Sequence, residues 1–108
     1  MNEEMQRQML IEQDLRTALK EKQFELYYQP IVNLETGEVV ALEVLLRWQH
    51  PHRGMLRPNY FLDVAEQTGL LNEIGEWALR KTCEEGLEIQ AEAGVELQFA
   101  LNISSRQY

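Results

Sequence analysis

With 108 residues, 44% of them apolar, the chain can form one small domain or a section of a larger one, with a hydrophobic core of its own. Eighteen acidic side chains against ten basic ones leave a formal net charge of -8, which disfavours the counterion-releasing contacts that bind duplex nucleic acid or an anionic membrane surface. The single cysteine, Cys83, excludes an intrachain disulfide, and no apolar run approaches the ~18 residues of a membrane span, so the expectation is a cytoplasmic chain in a reducing compartment, with no membrane insertion of this segment.

From Glu3 to about Lys22 strong helix formers dominate, with Met5, Met9, Leu15, Ala18 and Leu19 at roughly helical spacing. An amphipathic helix is predicted there. Phe24, Leu26 and Tyr28 then alternate with Glu25, Tyr27 and Gln29 as far as a break at Pro30, which predicts a strand with one polar face. Gly37 lies in a turn-like stretch before Val39 to Trp48, so the two strands are expected to form an antiparallel hairpin. His50 to Asn59 reads as an irregular loop, followed by a short helix with Pro58 in its first turn and Gly69 as its left-handed stop. A longer helix is predicted from an N-cap at Asn72 to Gly94, turning Ile74, Trp77, Ala78 and Cys83 inward, with Gly86 costing ~1 kcal/mol relative to alanine. Leu97 to Ile103 alternates as a final strand.

Chemistry concentrates in Val39 to Trp48, an apolar strand interrupted by one acid and one base. Alternation puts Val40, Leu42, Val44, Leu46 and Trp48 on one face and Ala41, Glu43, Leu45 and Arg47 on the other. Glu43 and Arg47 thus stand two pleats apart, ~13 Å at the backbone, better placed to hold two parts of one ligand than to neutralise each other. The plainer reading is a solvated face with a loose ion pair that adds at most ~1 kcal/mol. Asn102, on the polar face of the last strand, offers an amide oxygen that could share Mg²⁺ or Mn²⁺ with Glu43; read alone, it is a turn or capping residue. His50-Pro51-His52, with no acid nearby in sequence, reads as exposed loop; Cys83 reads as core filling, and Glu84, Glu85 and Glu88 as a wet helix surface.

Tyr27-Tyr28-Gln29-Pro30-Ile31-Val32, Glu43-Val44-Leu45-Leu46-Arg47-Trp48-Gln49-His50-Pro51, Gly54 and Asn102-Ile103-Ser104 occur in one order, and through them the chain resembles the first part of an EAL domain, the bacterial cyclic di-GMP phosphodiesterase module. Phe61-Leu62, Ala65-Glu66, Gly69-Leu70 and Ile74-Gly75-Glu76-Trp77 are similar to that family's helical segments. The resemblance implies an α/β, partial TIM-barrel-like fold, with residues 1–108 as the N-terminal part of the domain. It implies Glu43 and Asn102 as ligands of Mg²⁺ or Mn²⁺, and Gln29 and Arg47 as contacts to cyclic di-GMP. Asp63 is implied at a guanine edge. Two departures stand out: the signature reads Glu43-Val44-Leu45 where the family has Glu-Ala-Leu, and Ile89 stands where the family has a late tryptophan. Both concern packing.

A TIM barrel takes about 250 residues, and this sequence does not contain the family's later glutamate, paired aspartates, lysine or final acidic residue. The expectation is therefore a section of an enzyme that hydrolyses cyclic di-GMP to the linear dinucleotide, inactive alone, and homo-oligomeric unless a missing half completes its open strand edges. The alternative is a noncatalytic EAL-derived module for protein interaction or weak nucleotide binding.

Overall fold

In the computed structural model, which describes residues 2–103, the first segment winds into helix α1 (Glu3–Lys20). The Asn2 side chain accepts a hydrogen bond from the Met5 N–H at 2.8 Å, satisfying one of the donors a helix start leaves unpaired. The buried stripe is Ile11, Leu15 and Ala18. Met5 and Met9, expected on that stripe, are exposed; the first turns dock through polar contacts instead, Arg7 donating to the Tyr60 carbonyl at 3.0 Å.

Strands β1 (Phe24–Val32) and β2 (Val39–His50) form the expected antiparallel hairpin. Asn33 closes its turn by accepting from the Glu35 N–H at 2.9 Å, and Gly37 supplies a φ of 74°. Pro30, expected to break the strand, lies within β1 opposite Leu42. It is tolerated because β1 pairs only with β2 among the described strands, and an edge strand has no second ladder to lose.

The segment expected as irregular loop contains a short strand, β3 (Gly54–Leu56), paired antiparallel with Trp48–His50; three residues are too few to show alternation. His50 is not an exposed loop residue either. Its side chain is 8% exposed, with Nε2 3.2 Å from Asp14 Oδ2. The His52 and Arg53 N–H groups both donate to Nδ1 at 3.1 Å, so in the neutral ring the proton belongs on Nε2 and is donated to Asp14. The acid was invisible in sequence because it lies 36 residues away on α1.

Helices α2 (Pro58–Thr68) and α3 (Leu70–Ala93) follow. Pro58 occupies the first turn as expected, and Gly69, at φ 80°, ends α2 and also caps the start of α3. Helix α3 therefore begins before Asn72, the expected N-cap, because one left-handed glycine redirects the chain without a loop. Its inward positions are Leu70, Ile74, Ala78, Thr82 and Gly86, a spacing of four. Cys83, expected inward, is exposed, one residue off that stripe; Thr82 takes the place, its hydroxyl donating to the Ala78 carbonyl at 2.7 Å. Strand β4 (Gln98–Leu101) pairs parallel with Ala41–Val44 of β2.

β2 is thus central, with β1 along one side and β3 and β4 sharing the other. The helices cover one sheet face, where Val44, Leu46 and Trp48 are fully buried with Leu15, Phe61, Val64 and Ile74. Gly86 explains itself here: an added Cβ would lie 3.2 Å from the Phe99 ring, so the missing side chain lets α3 approach β4.

Tyr28 ties β1 to α3 through a 2.7 Å hydrogen bond from its hydroxyl to Glu85. Burial first, then that bond and the Glu85 charge, push the phenol well above its ordinary value of 10.0. A raised folded-state pKa means that the unfolded chain loses this proton first, so the contribution is intact below about pH 10 and lost as pH rises toward the raised value. Tyr28→Phe is expected to cost about 1 kcal/mol at neutral pH and to flatten the alkaline fall of Tm; an alkaline fall unchanged in the variant would contradict the assignment.

Candidate functional site

The sheet face away from the helices carries the polar residues. The register places Gln29 directly opposite Glu43 and Tyr27 opposite Leu45, with cross-strand Cβ atoms about 5 Å apart. Arg47 follows Glu43 at the next same-face position but one. Gln29, Glu43, Leu45 and Arg47 line one side of an open cleft of about 380 Å³ whose other side is Arg57, Pro58 and Asn59. Three residues singled out in the sequence, Gln29, Glu43 and Arg47, are thereby brought together.

The fold gives a reason for the cleft's position. Strand β4 leaves β2 after Val44, and β3 leaves it at Trp48, so the chain entering α2 fills the space beside Leu45 to Arg47. Glu43 and Arg47 stand at and just beyond the carboxyl end of the parallel ladder, where α/β sheets place ligands.

No ion pair joins Glu43 to Arg47 among the described residues. The Arg47 guanidinium donates to the Leu46 carbonyl at 2.8 Å and lies 5.8 Å from the Tyr27 ring centroid, a cation–π contact that holds it at the cleft wall. Tyr27 is held in turn, its hydroxyl accepting from Gln49 Nε2 at 3.0 Å. Two guanidinium groups and one carboxylate line the cleft, giving it an excess of one positive charge in a chain of net charge -8. It suits an anion that also brings a cation to Glu43.

Asn102 sits just past β4. Ala100 is the register partner of Glu43, so Asn102, two residues on, shares its face, about 8 Å away by strand spacing. It is half-buried and is not part of the cleft lining. A carboxylate and an amide oxygen on neighbouring strands fit a hard divalent cation by donor type. They fit as part of one shell only: no group of three or more His, Cys, Asp or Glu side chains suited to a metal occurs among the described residues. Asp63 is exposed on α2, one turn beyond Asn59, and does not line the cleft. Ser104, the end of the Asn102-Ile103-Ser104 motif, lies outside the described residues.

Sequence reasoning missed Arg57 and Asn59. The signal available was Pro58, which marks the start of α2; what was lacking was β3, which brings the chain back along β2 just before Arg57. A second concavity, about 410 Å³ between α3 and β4 and lined by Leu79, Cys83, Leu87, Phe99 and Leu101 among others, contains no charged side chain and offers no comparable chemistry.

Comparison with known proteins identifies the family and the fold. The family model described as EAL domain matches residues 12–108. The chain is 39% identical over 109 aligned positions to the bifunctional diguanylate cyclase/cyclic di-GMP phosphodiesterase MucR of Pseudomonas aeruginosa, spanning all of this chain and 16% of that protein. It is 39% identical over 95 residues to the cyclic di-GMP phosphodiesterase NbdA of the same species, spanning 88% of this chain and 12% of the relative. Among solved structures, the MucR phosphodiesterase in complex with c-di-GMP superposes with a TM-score of 0.79 at 39% identity, over 91% of this chain and 40% of that one. The FimX EAL domain of Xanthomonas citri in complex with c-diGMP gives 0.73 at 28% identity, over 91% and 37%. The chain therefore spans less than half of each of these proteins, and its mixed helix and strand fold is that of EAL-domain structures. On its sequence match and its fold alike, the chain belongs to the EAL domain family.

Proposed function

We propose that residues 1–108 are the N-terminal part of a TIM-barrel-like EAL domain, and that they supply one wall of a cyclic di-GMP phosphodiesterase site. The observation that carries this reading is the convergence of Gln29, Glu43 and Arg47 on one cleft at the carboxyl end of the parallel ladder. Arg47 holds a phosphate with its forked donors. Gln29, opposite Glu43, donates to and accepts from the ligand along its length. Asp63, one turn along α2 and outside the cleft lining, is assigned to a guanine edge by the family resemblance alone. Glu43 and Asn102 would hold part of the shell of Mg²⁺ or Mn²⁺. A divalent ion held there would lower the pKa of an attacking water and offset charge on the phosphate; Glu43 would contribute a ligand to it, and Arg47 binds and orients the phosphate.

The setting of this reading is cytoplasmic. With two oxygen donors from this span, the 108 residues alone are expected to give no turnover of cyclic di-GMP in Mg²⁺ or Mn²⁺, and to self-associate by exchange of α1 or by pairing of the final strand. A contaminant-controlled assay showing turnover that disappears in Glu43→Ala would overturn the first expectation; sedimentation as a monomer at high concentration would overturn the second. The noncatalytic alternative, a module for protein interaction or weak nucleotide binding, is favoured if completion of the barrel restores binding without hydrolysis.

A further inference from the structure

Arg57 is the residue of the cleft that local structure does not explain. It occupies the N-cap of α2, where Ser, Thr, Asp or Asn normally accepts from the first-turn N–H groups, and its side chain makes no capping bond. The first turn holds no acidic residue, so a cation stands at the positive end of the helix dipole, the unfavourable end for it. Its guanidinium has no hydrogen bond, ion pair or ring contact among the described residues. Arg47, by contrast, is held by the Leu46 carbonyl and the Tyr27 ring.

Position supplies the reason. The β2–β3 ladder ends where Leu56 pairs with Trp48, and Arg57, the next residue, lines the same cleft as Arg47. Two like charges thus line the one cleft that holds Glu43. That arrangement costs stability unless an anion joins them, and sites that break local rules are where function resides.

We propose that Arg57 is a phosphate contact of the cleft, sharing with Arg47 the charge of a dianionic cyclic dinucleotide. The proposal rests on the cyclic di-GMP reading of the cleft and adds a residue to it. Because Arg57 is exposed, it acts as a charge on a flexible stem, so lysine can replace it, whereas a contact to a base edge would need the planar fork.

The test titrates cyclic di-GMP with Mg²⁺ into the 108-residue chain and follows amide NMR shifts, for wild type, Arg57→Ala, Arg57→Lys, Arg57→Asp and Arg47→Ala. Arg57→Ala is expected to weaken binding about tenfold, and Arg57→Lys to stay within about threefold of wild type. Arg57→Asp is expected to bind worse than Arg57→Ala yet melt about 4 °C higher than wild type, since it restores a good N-cap. That opposite movement of binding and Tm is one a purely structural role would not produce. Wild-type affinity in Arg57→Ala, with Arg47→Ala weakened, overturns the role of Arg57 while leaving the cleft reading intact. Equal losses in Arg57→Lys and Arg57→Ala overturn the phosphate assignment. A wild-type chain whose Glu43 and Arg47 signals do not move overturns the reading of the cleft itself, and this proposal with it.

Discussion

Trp48→Ala is expected to unfold the domain at ambient temperature or to leave it barely folded. The indole is fully buried, packed edge-on against Phe61 at 5.3 Å between ring centroids and tilted against Phe24 at 5.8 Å. Its Nε1–H donates to the Gln23 side chain at 3.1 Å. Truncation therefore removes a large apolar volume from the junction of sheet, α2 and α3, and leaves Gln23 without its partner. Such cavities cost about 3–5 kcal/mol, against the roughly 5–15 kcal/mol that stabilises a typical domain. Trp48→Phe should recover most of the loss, because the ring contacts persist and the Gln23 bond accounts for only about 1 kcal/mol. Urea denaturation of the three chains checks this; equal midpoints for wild type and Trp48→Ala would contradict the core described above.

The second large effect concerns Glu43. A chimera in which residues 12–108 replace the corresponding span of the MucR phosphodiesterase, 39% identical and superposing with a TM-score of 0.79, is expected to hydrolyse cyclic di-GMP in Mg²⁺ or Mn²⁺. In that chimera Glu43→Gln should lower kcat by at least about 10²-fold, the scale set by losing a preorganised group that stabilises charge. Glutamine keeps the shape and the Tm, so lost activity at unchanged stability separates ligation from packing. A Glu43→Gln chimera with full activity would remove Glu43 from the mechanism.

Part of this was legible from the sequence for a physical reason: a strand has period two, so Leu42 to Trp48 sorted itself into a buried face and a face carrying Glu43 and Arg47 without any knowledge of its neighbours, whereas Val40, read onto the same apolar face, is exposed. The hairpin, the Pro58 start, the Gly69 stop and the family resemblance were readable in the same local way. What could not be read were facts of register and long-range proximity. The pairing of Gln29 with Glu43 depends on hairpin register. The contact of His50 with Asp14 joins residues 36 positions apart, and the inward turn of Thr82 instead of Cys83 depends on where α3 begins. Arg57 became part of the cleft only through a three-residue strand too short to leave a pattern.

The central claim, that Glu43 grips a divalent cation beneath a cyclic dinucleotide, is tested most directly by paramagnetic broadening of amide NMR signals when Mn²⁺ is added to the chain in the presence of cyclic di-GMP. Broadening that begins at Glu43 to Leu45 and at Ala100 to Asn102, and that Glu43→Gln removes, is the predicted result. Broadening centred on the acidic surface of α3 around Glu84 and Glu88, with the Glu43 signal left sharp, would contradict it.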